Sequence, residues 1–424
     1  MSGNSGINSS SSNSGSSSNS GSSSNSGSNS SSSSNSGSSG KNQTISEKLD
    51  IRGDLPLYKS ALVTAREVLK IKEDEKALII TNPDEESFTI SSALYVAVIE
   101  SGGKPSLVIQ QRKDQLDFAD DAVIGAIKSS PDIIISISSN KLGKDREAIA
   151  SPYKIGEKSY DSTFHYLVSG VKKSRSFWSP GITADMFRRT VTIDYARLKR
   201  ESLYLKSILD RASSVSVTAD AGTDFLINVE GRETFCDDGD FSLPGSGGNL
   251  PAGEVFISPV VGKSSGIIVF DGSISTKEGD IIITTPIRVE VKNGFVTEIT
   301  GGKEADILRE TVESGMANAL LFEKEGKLPA GKGEIYRKNA GNIGELGIGL
   351  NPFAEIRGSM LEDEKAYRTC HIAIGSNYDD DAPALIHLDG LVKEPTITAF
   401  FPDGSSKIIM ERGTLFSVRE GFGK

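Results

Sequence analysis

The chain has 424 residues, a formal net charge of −10 and only two cysteines, Cys236 and Cys370. That acidity removes the main attraction to nucleic acid or anionic membranes, and no apolar run approaches the ~20 residues needed to span a bilayer. No Cys-x-x-Cys pair is present, which excludes structural zinc ribbons and suits a reducing, cytoplasmic setting.

All but Met1 and Ile7 of the first forty residues are Ser, Gly or Asn. Such a segment has too little apolar surface to offset its ordering entropy, so residues 1–45 read as a disordered tail with a span of roughly 35 Å. It lacks the basic start and apolar run of a signal peptide, and the Asn42-Gln43-Thr44 sequon would matter only in a secreted protein. What remains, about 380 residues, is long for one core, and two domains are expected, 46–210 and 211–424.

Apolar residues recur at helical spacing over 55–71. Ala77-Leu78-Ile79-Ile80-Thr81 then reads as a buried strand, followed by a helix over 85–101 and a strand at 105–109. A second helix over 116–128 leads to a strand at 132–136. Short continuous apolar strands alternating with helices predict an α/β domain with a doubly wound parallel sheet. No Gly-x-Gly-x-x-Gly follows its first strand, so a dinucleotide site has no support. The basic and aromatic stretch Lys172 to Trp178 reads as packing at a domain junction, or as an anion site or the lining of a substrate cleft. A charged helix spans 193–211.

Beyond it the texture changes to short strands, many glycines and hairpin turns. Asn293-Gly294 between alternating apolar residues is the clearest hairpin signal, and one helix, 304–322, interrupts the strands. This part is expected to be a strand-rich α+β domain. Asp224 reads as a turn acid.

The chemistry is concentrated there. Two of the three histidines, His371 and His387, lie within seventeen residues of each other. His387-Leu388-Asp389 reads as a strand, and residues i and i+2 of a strand share a face, so an imidazole and a carboxylate point the same way. That pair suits a divalent transition metal. In Cys370-His371-Ile372 the alternation turns Cys370 away from His371. His165 reads as a hydrogen-bonded core residue. Glu254 and Glu345 each interrupt a glycine-bounded apolar stretch, where an unpaired buried carboxylate would need a cation or hydrogen bonds; a solvent-facing loop acid is the plainer reading of each.

Four blocks, Asn-Leu-Pro-Ala-Gly-Glu-Val-Phe at 249–256, Gly-Glu-Leu-Gly-Ile-Gly at 344–349, Cys-His-Ile-Ala-Ile-Gly-Ser-Asn-Tyr at 370–378 and Ile-His-Leu-Asp at 386–389, occur in that order. Together they resemble the aminopeptidase T-type family of dinuclear metallopeptidases. The resemblance implies that Glu254, Glu345, His371, His387 and Asp389 ligate two divalent ions (Zn, Co or Mn), that Tyr378 contributes to the site, and that the chain is a homodimer. It implies a metalloaminopeptidase acting on short peptides through a metal-activated water, with Glu345 accepting its proton and Tyr378 donating to the oxyanion. Fifteen residues separate the two histidines, fewer than in the family pattern. Asp379-Asp380-Asp381 lies between them, as a lure for a substrate amino group or as a solvated turn. A second reading takes His371, His387 and Asp389 as a two-histidine, one-carboxylate set for a single Fe(II), as in ring-cleaving dioxygenases of the same superfamily that resemble dihydroxypyridine dioxygenase. A third is a catalytically inactive metal-binding homologue.

Overall fold

The unbroken apolar runs form strands buried on both faces. In the computed structural model, which describes residues 53–114 and 117–416, five parallel strands lie in the order Lys104–Ile109, Lys76–Thr81, Ile133–Ser138, Arg175–Pro180 and Gly247–Asn249. Neighbouring residues feed opposite cores: Ile79, Ile133 and Ile135 pack with Ile90, Ala93 and Leu94 of helix Glu85–Glu100. Leu78, Ile80 and Ile134 pack with Val123, Ile124 and Ile127 of helix Asp121–Lys128. Helices on both faces explain why the strands show no polar alternation. The expected tail over 1–45 lies outside the described residues.

The first helix, Leu55–Val63, is capped by Asp54, whose carboxylate accepts from the Leu57 amide at 3.1 Å, and continues as a π-helical turn over Thr64–Val68. The strand Arg175–Pro180 pairs with Gly247–Asn249 from beyond residue 210, which fits the junction-packing reading of its segment. Arg175 is 2% exposed. Its guanidinium donates to both oxygens of Glu75, at 2.9 and 2.6 Å, and to the Leu69 carbonyl at 3.0 Å. A bidentate partner lets a basic residue enter a central strand.

Two antiparallel sheets make up the strand-rich part. One has eight strands and includes the predicted hairpin Ile287–Lys292 to Phe295–Thr300. Its turn residues Asn293 and Gly294 both have positive φ, 50° and 76°, the conformation a two-residue turn needs to match strand twist. Asp224 opens a strand of this sheet, Asp224–Asn228, instead of lying in a turn. Helix Lys303–Lys324 sends Ala305, Leu308 and Val312 into the core. The other sheet has seven strands, ordered Gly279–Ile282, Ser273–Thr276, His387–Lys393, Thr369–Gly375, Ile343–Gly349, Glu254–Ile257 and Thr234–Asp237. The fold is thus mixed α/β, a parallel sheet with a strand-rich second part, as the sequence predicts. Among the described residues no helix is long and apolar enough to cross a membrane.

Candidate metal centre

Four neighbouring strands of the seven-stranded sheet gather all five predicted ligands on one face. Glu254 lies opposite Gly349, Gly347 opposite His371, Ala373 between Glu345 and Asp389, and Gly375 opposite His387. Partners directly opposite in a ladder share a face, so every large polar side chain here has a Gly or Ala beside it. The glycines of the Gly-Glu-Leu-Gly-Ile-Gly block are required sterically: a Cβ on Gly347 would run into the His371 ring. Cys370 is buried opposite Val392, one residue out of phase, and stays off this face.

Glu345 is the hub. Its Oε1 lies 3.3 Å from His371 Nε2 and its Oε2 3.0 Å from His387 Nε2. His387 Nε2 is also 3.3 Å from Asp389 Oδ1, and His371 Nε2 is 3.4 Å from Glu254 Oε2. The Ser376 carbonyl, 2.8 Å from His387 Nδ1, can only accept, so Nδ1 carries a proton and Nε2 faces two carboxylates. Such an arrangement demands a cation at Nε2, either a proton or a metal ion. Among the described residues, buried Glu254 Oε2 and Asp389 Oδ1 make no well-formed hydrogen bond and have only the His371 and His387 Nε2 atoms close by, which fits a site built for a positive ion.

Electrostatics without an ion tell the same story. Burial opposes the charged form of His371, but Glu345, with Glu254 and Asp389, overcomes it and pushes the imidazole up to about 9. His387 is likewise raised well above its ordinary value, Asp389 and Glu345 outweighing burial. Burial would raise Asp389, yet His387 holds it down to about 2. Glu345 is lowered because its hydrogen bonds to both histidines outweigh burial.

Ligand-capable atoms fall into two groups, Glu345–His387–Asp389 and Glu254–Glu364–His371, with the atoms of each within 4.8 Å of one another. This differs from the two-histidine set of the sequence reading, because Glu345 stands between the imidazoles. Glu364 is a new member. It follows the short helix Met360–Asp363 and is next to Lys365, which is fully buried. The Lys365 ammonium donates to Glu254 Oε1 at 2.7 Å and to Glu364, and lies 3.9 Å from Asp237 Oδ2. Burial raises the acids around it, Asp237 to about 7 and Glu254 to about 8. Within an acidic run such as Glu362-Asp363-Glu364-Lys365 no periodicity marks which charges are buried; the only sequence signal is its closeness to the His371 block.

Tyr378 stands beside the cluster, its ring edge-on to His387 at 5.4 Å and 4.9 Å from Phe256, with 53% of its surface exposed. The acidic run is a turn with Asp380 and Asp381 exposed, as the solvated-turn reading expects. Arg232 pairs with Asp379 at 3.6 Å and Asp381 at 2.7 Å and anchors the segment between the histidines. His165 is exposed, not a core residue, and borders a cleft with Phe164 and Trp178. A second cleft of about 370 Å³ reaches Asp389 and Glu364 and shares Asn140, Lys141, Pro180 and Asn249 with the first.

A family model described as 2,5-dihydroxypyridine 5,6-dioxygenase matches residues 184–371. That stretch holds Glu254, Glu345, Glu364, Lys365 and His371, and it stops short of Tyr378, His387 and Asp389. A curated relative, 2,5-dihydroxypyridine 5,6-dioxygenase from Pseudomonas putida KT2440, is 31% identical over 171 residues, 39% of this chain; the match spans only 41% of that relative's length. Among solved structures, 2,5-dihydroxypyridine dioxygenase from the same organism superposes with a TM-score of 0.61 at 17% identity, covering 86% of this chain and 98% of the other. AmpT from Thermus thermophilus gives 0.58 at 15% identity, covering 85% and 99%. The chain therefore shares the fold common to these two proteins.

These matches correct the main functional expectation. The metalloaminopeptidase reading, with its hydrolase and protease chemistry, is overturned by the family model and the curated relative, both of which point to a dioxygenase. The physical reason lies in the motifs: the four blocks build the sheet face and its carboxylate–imidazole cluster, a scaffold that does not itself specify the reaction. Likeness to AmpT extends to the fold alone.

Proposed function

We propose that this chain is an Fe(II)-dependent ring-cleaving dioxygenase acting on a small dihydroxylated heteroaromatic of the 2,5-dihydroxypyridine class. The observation that carries the reading is the Glu345–His387–Asp389 cluster, one imidazole and two carboxylates beside a cleft of ligand size. The names of the family model and the curated relative supply the reaction class.

In this reading Glu345 Oε2, His387 Nε2 and Asp389 Oδ1 hold one ion. Fe(II) held by these residues would supply the redox chemistry that lets dioxygen react with an electron-rich ring, the substrate itself being the net electron donor to O2. The chain's own residues do the positioning. The Ser376 carbonyl fixes the His387 ring through Nδ1–H, as an outer partner typically does for a ligating histidine. Asn140, Lys141 and Asn249 line the cleft and supply amide and ammonium donors for substrate oxygens, and the half-exposed Tyr378 ring offers a flat face beside His387. Burial shields the Glu345 carboxylate from bulk water, while Asp389 opens on the cleft.

Anaerobic loading with Fe(II), followed by oxygen-electrode assays on 2,5-dihydroxypyridine and a dihydroxybenzene series, tests the proposal. Oxygen uptake that disappears in Asp389→Asn is expected. No uptake on any member of the series by iron-loaded, folded protein would refute it.

A further inference from the structure

We propose that the Lys365 ammonium is a built-in substitute for a second metal ion, so that the cluster takes one ion, on Glu345, His387 and Asp389. The inference rests on the metal-dependent reading above and adds the residue that sets the stoichiometry.

The cluster offers two ligand groups, and they are not equivalent. Lys365 Nζ touches two of the three members of one group, Glu254 at 2.7 Å and Glu364, with the Asp237 carboxylate 3.9 Å away. Its side chain is fully buried, and its backbone is fixed by hydrogen bonds from the Asn351 amide to its carbonyl, 2.9 Å, and from its own amide to the Glu362 carbonyl, 2.9 Å. The ammonium is thereby placed in the interior, on these carboxylates and away from solvent. A divalent ion on Glu254, Glu364 and His371 would have to share two carboxylates with a neighbouring positive charge in a medium that screens poorly.

The histidines point the same way. A ligating imidazole ordinarily donates its second ring N–H to an acceptor, which sets its orientation. His387 does so, to Ser376, whereas His371 Nδ1 is buried with no hydrogen-bond partner among the described residues. The orienting contact is thus present in the half without the ammonium and missing in the half with it. A lone ion with open positions suits oxygen chemistry, whereas shared-water hydrolysis relies on two ions a few ångströms apart.

Mn(II) titration of the metal-free full chain, with bound ion counted by mass spectrometry and by loss of the free-ion electron paramagnetic resonance signal, tests this. Wild type should bind one tight ion and Lys365→Arg also one, while Lys365→Met should bind two. Circular dichroism and thermal melts establish that each variant is folded. Because removing a buried cation among acids endangers folding, His387→Ala in the wild-type background serves as a second probe; it should bind no tight ion. Two ions on wild type, one on folded Lys365→Met, or one retained by His387→Ala would each overturn the proposal. Zero ions on wild type would instead remove the metal-dependent reading beneath it.

Discussion

Gly347 offers the sharpest test of how the sheet builds the cluster. An Ala Cβ there would lie 2.8 Å from His371 Cδ2 and closer still to Nε2 and Cε1. Ordinary carbon contacts run about 3.5–4.0 Å, so the ring must retreat by about 1 Å or more. The retreat breaks the 3.3 Å and 3.4 Å contacts of His371 Nε2 with Glu345 and Glu254. Losing a charge-assisted hydrogen bond costs about 1.5–3 kcal/mol and overpacking a tight core about 1–3 kcal/mol. Gly347→Ala should therefore destabilise the metal-free protein by about 3–5 kcal/mol. The matched control is Gly125→Ala. Gly125 is exposed in helix Asp121–Lys128, and a Cβ there would meet nothing within 4 Å. It should stabilise by about 0.5–1 kcal/mol. Urea unfolding of both variants measures the difference, and a Gly347→Ala midpoint equal to wild type would refute the packing argument.

Other outcomes follow from the same structure. In the metal-free protein the folded values of Asp237, Glu254 and His371 are raised, to about 7, 8 and 9. Groups raised on folding stabilise fully below their unfolded values and lose that contribution as pH climbs through the folded ones. Thermal melts of the metal-free protein should therefore fall from about pH 5 to about pH 9, and a flat or rising profile would count against the buried cluster. Asp389, held down to about 2, acts oppositely, its contribution present above the ordinary aspartate value and lost as pH falls toward 2. Arg175→Ala leaves Glu75 without its bidentate partner and should cost about 3–5 kcal/mol in a denaturant melt, whereas a surface ion pair would cost under about 1. Arg232→Ala frees Asp379 and Asp381; limited proteolysis should then cut within 377–383 faster than in wild type, and unchanged cleavage would show that the segment is held by other contacts.

Much of the fold is legible in the sequence because burial on two faces writes itself as unbroken apolar runs, as in Ala77 to Thr81, and because Asn293-Gly294 dictates its own turn. Strand alternation is equally direct: it places His387 and Asp389 together and turns Cys370 away. Arg175 conceals its strand, since only the distant Glu75 makes a buried guanidinium tolerable there. Glu364 and Lys365 are hidden for a related reason. A charged turn looks the same in sequence whether it faces water or is folded under a sheet, and the carboxylates that retain Lys365 come from residues 237, 254 and 364. The reaction was the least legible part, because the four motif blocks specify the sheet face, while the single-ion proposal turns on a lysine outside all of them.

Isotope labelling reads out whether this cluster directs dioxygen into a ring. Iron-loaded protein turning over 2,5-dihydroxypyridine under ¹⁸O2 should yield a ring-opened product carrying two labelled oxygens. A product that takes its oxygen from water, or substrate recovered intact by folded and iron-loaded protein, would contradict the account.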